Sequence, residues 1–508
     1  MNNLNFLVDV LKESPVFKTL EKNVKPGRTV CASGLSTINK SNIIYALCRL
    51  KGVTAFCLAS DEKEAQTLCN DLSCMGLRAY VYPVRDFNFL DFQSRSHEYE
   101  HARLKVLLKL LNHECDVAIA CVDAAAHLTV PRNVLEQSVI EFEEGKELSL
   151  EKATKALTLL GYERFDAVEG SGQFSLRGGI LDFFMPDSDY PVRCEFWGDE
   201  ITDLSYFDIE TQRRFKKADK ITLSPSTEIV IEDRAALADK IEHKAKLLRS
   251  KNSAKAKEKL FSEAELIRSG AMIANADKFI NQIYDKPESL FDYFDRNTLV
   301  FASEFTAIQE RGKSMDFISN ETLMQGFEDG TLCRGFDRFA LTFNECTEFL
   351  QSHGTIVLEN FVHGSMPIKL SEIISFSTKQ LSAWGGSYKQ LKEDVDGLFT
   401  PESKGVIFAG TERAAKNLCD TFNADGINAV YSEGADKISK GELLVMQGAL
   451  SAGFEYPSQK FFAITYSQVS YRPEKSKKKK KKTGQEIYSL SELAPGDYVV
   501  HNVHGIGG

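Results

Sequence analysis

The sequence predicts an α/β protein built from several domains, and three observations carry that prediction. The chain has 508 residues, well beyond the ~250–300 at which a single hydrophobic core stops growing. Short apolar runs alternate with helical stretches as far as residue 137, the pattern of βαβ units around a parallel sheet. The unit recurs late in the chain: Ala65, Leu68, Cys69 and Gly76 have the same spacing as Ala415, Leu418, Cys419 and Gly426.

In order along the chain, residues 28–32 read as a strand, 42–50 as a helix and 53–59 as a buried strand. A helix over 62–72, a strand over 78–82, a helix over 102–111 and a strand over 116–122 complete the first region, 1–137. Residues 138–222 form a second region that opens on a helix over 150–160, with Ser149 as its cap. Region 223–355 is mixed, with a long charged helical stretch over 235–265 and a short apolar strand at 299–301. Residues 356–470 return to α/β. The six lysines Lys477 to Lys482 mark 471–486 as a linker, kept extended by like-charge repulsion. A small β-region begins at 487, and its sequence predicts a chain that continues beyond Gly508.

Composition bounds the function. Hydrophobic residues make up 43% and charged residues 26%, ordinary for a soluble globular protein. No run reaches the roughly 18 apolar residues of a membrane helix, and Met1 to Asn5 carries no secretory n-region. Eleven scattered cysteines fit reduced thiols in a cytoplasmic protein. A net charge of −10 argues against a general DNA-coating role.

The richest segment is Gly172-Gln173-Phe174-Ser175-Leu176-Arg177-Gly178-Gly179-Ile180-Leu181-Asp182-Phe183-Phe184, followed by Pro191-Val192-Arg193-Cys194-Glu195-Phe196-Trp197-Gly198-Asp199-Glu200-Ile201. A strand ends at Arg177, and the Gly-Gly pair permits a turn that other residues resist. Alternation sends Val192, Cys194 and Phe196 inward and Arg193 and Glu195 outward. Arg177, Arg193 and Trp197 are thereby candidates for one exposed arginine-plus-aromatic face, the chemistry that protein interfaces enrich.

Two motifs suggest chemistry. Gly34-Leu35-Ser36-Thr37-Ile38-Asn39-Lys40-Ser41 occupies the frame of a phosphate loop, with Gly34, Lys40 and Ser41 in place and Asn39 at the second glycine. Asparagine tolerates positive φ better than most residues, so geometry alone leaves nucleotide possible. His97-Glu98-Tyr99-Glu100-His101 matches the zinc-protease pattern, with Glu114 a possible third ligand. Ser96 suits a helix cap with acidic residues in the first turn, which favours a polar helix start over a metal site. No C-x-x-C spacing or nucleophile elbow is present.

The segment 172–213, ending Phe207-Asp208-Ile209-Glu210-Thr211-Gln212-Arg213, resembles the UvrA-binding domain of bacterial transcription-repair coupling factors (Mfd), a domain shared in weaker form with the excision-repair protein UvrB. Gly448 to Pro457 and Leu493 to Gly507 resemble later parts of the same family. The resemblance implies a degenerate, helicase-like parallel-sheet domain of the P-loop NTPase kind. It also implies an inserted α+β UvrA-binding domain at 138–222, a second small α/β domain, and the start of an RNA-polymerase-interacting domain that meets the polymerase β subunit.

It further implies that Arg177, Arg193 and Trp197 contact UvrA, with Trp197 standing where phenylalanine is usual. In the family that surface is masked by a C-terminal domain until the motor engages. Ser303 replaces the aspartate of the Asp-Glu box, so the phosphate loop is expected to be vestigial, with no catalytic residue and no cofactor in this chain. ATP, magnesium and most DNA contact would belong to an absent C-terminal motor. The alternatives are an active UvrB-like helicase subunit, which the crowding of Tyr80, Tyr82, Phe87, Phe89 and Phe92 weakly invites, and a metalloprotease.

Overall fold

A computed structural model describes residues 4–85, 98–249, 253–270, 276–330, 332–361, 366–381, 388–466, 499–501 and 505–507. The chain divides into two compact units, Met1–Gln468 and Val469–Gly508. In the second, Val499–His501 pairs antiparallel with Gly505–Gly507. The lysine run lies outside the described residues.

The first unit is α/β, with two large sheets and a third in an inserted region. Seven parallel strands form the first sheet, in the order Glu372–Ser375, Val30–Ser33, Thr355–Leu358, Leu299–Ser303, Ala55–Leu58, Val117–Ala120, Ala79–Tyr82. Segments such as Ala-Phe-Cys-Leu and Val-Ala-Ile-Ala are buried along their whole length, because helices cover a parallel sheet on both faces. Thr355–Leu358 and Glu372–Ser375, around the start of the region read as 356–470, both belong to this first sheet. A continuously apolar strand carries no alternation to say which sheet it joins, and tertiary packing decides.

The second sheet runs Lys379–Leu381, Gly453–Tyr456, Phe461–Thr465, Lys404–Phe408, Glu442–Met446, Ala429–Ser432. Its strand–helix–strand unit repeats that of the first. Ala55–Leu58, the helix Glu62–Cys74 and Ala79–Tyr82 correspond to Lys404–Phe408, Glu412–Ala424 and Ala429–Ser432. In each sheet a later strand lies between the two, Val117–Ala120 in one and Glu442–Met446 in the other. The echoed cysteines do the same job: the Cys69 thiol reaches the Ala79 carbonyl and the Cys419 thiol the Ala429 carbonyl, both at 3.3 Å.

One core joins the sheets, with Val406, Phe408, Met446, Phe454 and Tyr456 packed together with Ile38, Ile44, Tyr45 and Leu47. The helix Thr37–Lys51 therefore has layers on both sides, and every residue from Ile38 to Cys48 is buried.

Residues 140–223 fold around a separate core in which the helix Leu150–Leu159 contributes Ala153 and Leu157 against Phe174, Leu181, Phe183, Val192 and Cys194. Ser149 caps the helix by accepting from the Lys152 amide at 3.2 Å. The sheet runs Arg214–Lys217, Glu200–Phe207, Val192–Trp197, Ile180–Phe183, Gln173–Arg177, Glu163–Arg164. The charged helical stretch expected over 235–265 is helical and divides into Arg234–Leu247 and Ser253–Ser269. Arg268 pairs back to Asp239 and Glu242, which folds them into a hairpin; charge spacing alone does not mark where such a helix breaks.

A filled phosphate loop and an open hairpin corner

The phosphate-loop frame sits at the carboxyl ends of the first sheet's strands, where α/β proteins place ligands. Only Gly34, Leu35 and Ser36 separate the strand from the helix, which begins at Thr37. Asn39 is consequently helical and not in the left-handed conformation its position invited. The amides that would line a phosphate cradle are spent: Gly34 donates to the Asn360 carbonyl at 3.2 Å and Leu35 to the Glu359 carbonyl at 3.0 Å. A Cβ on Gly34 would lie 2.3 Å from the Phe376 carbonyl oxygen, so glycine is required here by a close neighbouring strand. Thr378 closes the same edge by donating to the Gly34 carbonyl and accepting from the Asn39 amide.

Lys40 is 2% exposed and all three of its N–H bonds have acceptors: Glu304 at 2.6 Å, Ser303 Oγ at 2.9 Å and Glu64 at 3.1 Å. Ser303 also donates to Glu64 at 2.6 Å, and Ser60 donates to Glu64 through its amide and hydroxyl. Burial pushes the Glu64 carboxyl up, but the Lys40 charge and the hydrogen bonds from Ser303 and Ser60 more than offset it, holding it below the ordinary carboxylate range. Glu304 has φ +54°, a left-handed conformation that costs a non-glycine residue roughly 1–3 kcal/mol, and that carboxylate also accepts the Asn360 amide.

Glu359, buried beside it, accepts the Phe305 amide at 2.8 Å, and burial with the Glu304 charge raises its carboxyl. Ser41, the other retained motif residue, donates to the Thr37 carbonyl and to Asp71. Asp71 in turn accepts the Ser451 amide and hydroxyl, both at 2.7 Å, and so ties the loop to the second sheet. Every retained side chain of the motif is thus engaged by the protein itself.

The zinc-protease pattern cannot be built in full, because His97 and Ser96 lie outside the described residues. The rest of it faces the inserted region. Glu100 accepts from the Thr227 hydroxyl and the Glu228 amide, both at 2.8 Å, and a Cβ on Gly172 would meet the His101 ring. Glu114 pairs with Lys109. One turn further along the same helix, fully buried Arg103 donates to Glu228 at 2.6 Å and lies over the Tyr82 ring. Sequence reading missed this anchor; Arg103 on an otherwise apolar helical face was its only signal. Phe87, Phe89 and Phe92 lie outside the described residues.

The hairpin segment is the opposite case. Arg177 pairs across the tip with Ile180, leaving Gly178 at φ +60° and Gly179 to approach the next strand. A Cβ on Gly179 would lie 2.8 Å from the Phe196 carbonyl oxygen, and the Phe196 amide donates to the Gly179 carbonyl at 2.8 Å. The tip therefore rests beside Phe196, the neighbour of Trp197. Strands Gln173–Arg177 and Val192–Trp197 run in the same direction, with Ile180–Phe183 antiparallel between them. Arg177 and Trp197 accordingly end at the same edge of the sheet, with roughly 10 Å of strand spacing between their strands.

The three candidates differ in how free they are. Trp197 is 82% exposed. The Arg177 side chain is 51% exposed and gives one nitrogen to Asp182 at 2.9 Å. Arg193 is only 13% exposed, so alternation placed it on the correct face while the structure covers it. Its guanidinium grips Asp182 twice at 2.8 Å, donates to the backbone and side-chain oxygens of Gln212 at 3.1 Å, and lies over the Phe207 ring. The hydrogen bonds to Asp182 hold its pKa above the ordinary arginine value. Asp182, 1% exposed, therefore sets both arginines. The sequence segment contained both Asp182 and Gln212 but gave neither a role. Asp182, an acid within an apolar strand and out of register with its inward residues, was the available signal.

Residues 140–229 match the family model of the UvrB interaction domain. Along 98% of its length the chain is 28% identical to the transcription-repair-coupling factor of Bacillus subtilis (strain 168), of which it covers 43%. The same-named protein of Staphylococcus aureus (strain MRSA252) is 23% identical over 99% of the chain and 44% of the relative. That of Staphylococcus epidermidis (strain ATCC 12228 / FDA PCI 1200) is 26% identical over 84% of the chain and 37% of the relative. The chain thus spans less than half the length of these relatives. Residues 140–229 thus match a UvrB interaction domain, carried on a chain similar to transcription-repair-coupling factors along nearly its whole length.

Proposed function

We propose that this chain is a recruitment module of transcription-coupled nucleotide excision repair, and that the hairpin corner of residues 140–229 docks on UvrA. The observation that carries the reading is the Trp197 ring, exposed beside the half-free Arg177 guanidinium at one edge of a UvrB interaction domain. An exposed tryptophan seeks an apolar pocket, and arginine can fork onto a carboxylate beside it. Arg193 supports the pair from beneath.

The engaged Lys40 and Ser41 support a second part of the reading, that the phosphate loop holds the fold together and turns over no nucleotide. In a protein of the relatives' full length, polymerase displacement, with its ATP, magnesium and DNA, would belong to residues outside this chain. Contact with RNA polymerase we assign to the segment after 487.

The test is a titration of purified UvrA with the chain. Wild type should form a complex and Arg177→Ala should weaken it by about 1–3 kcal/mol. Equal affinity for the two proteins would remove Arg177 from the site.

A further inference from the structure

Four of the exposed large apolar side chains of the described residues lie on one helix, Phe305–Asp329. Phe317 is 65% exposed, Ile318 61%, Met324 66% and Phe327 38%. The helix buries Phe305, Ile308, Gly312, Met315 and Gly326 against the body. At ~100° per residue, Phe317 and Met324 project almost diametrically away from that buried side. Soluble proteins seldom leave such side chains uncovered without a partner.

The residues bracketing them identify the partner. On the same outward line lie Lys313 at one end and Glu328 at the other, both exposed and with no ion pair among the described residues. The outward side therefore runs cation, phenylalanine, the exposed amide and acid of Asn320 and Glu321, methionine, anion, with a spacing that is symmetric about the midpoint between Asn320 and Glu321. Such an order is complementary to its own reversal.

We propose that this face pairs with a second copy of the chain, the two helices lying antiparallel across a two-fold axis at that midpoint. Phe317 then meets Met324 of the second copy, Lys313 meets its Glu328, and both contacts occur twice, as an isologous interface requires. Met–aromatic contact suits the centre and the ion pairs fix direction. Parallel pairing would oppose Lys313 with Lys313 and Glu328 with Glu328. From Lys313 to Glu328 the contact is roughly 24 Å long, a small interface and hence a weak dimer.

Sedimentation equilibrium of the full chain up to ~100 µM tests this. Wild type should move toward dimer mass, while Phe317→Glu should stay monomeric with an unchanged thermal melt. Lys313→Glu and Glu328→Lys should each weaken the dimer several-fold, and the two together should restore it. A monomer at every concentration overturns the proposal, and so would a dimer indifferent to Phe317→Glu. A double variant no tighter than the singles overturns the antiparallel register.

Discussion

Lys40 and Arg177 are both long cations of glycine-containing motifs, yet one is locked and the other half-exposed. Lys40 meets three acceptors in a site that is almost dry, whereas Arg177 gives one nitrogen to Asp182 and leaves the rest of its fork to solvent. The difference lies in how many acceptors the fold supplies. In the loop, Glu64, Ser303 and Glu304 engage all three N–H bonds of the lysine. A docking surface needs the reverse, an internal acceptor that aligns the cation without satisfying it. Asp182 does this for Arg177, and with Gln212 it saturates Arg193.

The largest expected effect separates these roles. Replacing Lys40 with Met leaves Glu64 and Glu304 without their cation, and should destabilise the chain by ~3–5 kcal/mol in denaturant unfolding. A lysine reserved for nucleotide would be removable at little cost, and that outcome would restore the loop as a binding site. Next comes Asp182→Ala, which strips the acceptor from two guanidiniums. UvrA affinity should fall with Arg193→Ala and Asp182→Ala alike, and unfolding should become easier by about 1–3 kcal/mol. If Asp182→Ala left UvrA binding untouched, the arginines would need no alignment and the contrast with Lys40 would fail.

The smallest effect concerns Asp71, where burial, opposed by Ser451 and Ser41, raises the carboxyl to about 6. An acid whose pKa is raised on folding contributes stability that is full below its unfolded pKa of about 3.9 and is lost as pH rises through the folded value. The stability difference between wild type and Asp71→Asn should therefore shift in the variant's favour between about pH 4 and pH 6 and be flat above. A difference independent of pH would mean that Asp71 is not buried as described.

The hairpin was legible in the sequence because alternation is a local property. Val192, Cys194 and Phe196 point inward and Arg193 outward because neighbouring residues on a strand must alternate. The echo of Cys69 and Cys419 was legible for the same reason, since each thiol bonds to a carbonyl ten residues on. The fate of Lys40 was not, because its acceptors come from residues 24, 263 and 264 positions away. Nor was the cover over Arg193, which depends on Gln212 standing at φ +58° in a distant turn. Long-range packing also decides that the strands Thr355–Leu358 and Glu372–Ser375 join the first sheet, which no local pattern in the sequence marks.

If the open corner docks while the filled loop only supports the fold, binding and stability must come apart at Trp197. Trp197 tests it most directly, since at 82% exposure its loss costs the fold almost nothing. In a titration of UvrA against wild type and Trp197→Ala at equal thermal stability, the variant should bind roughly 30-fold more weakly, a loss of about 2 kcal/mol. Identical affinities for the two proteins would contradict it.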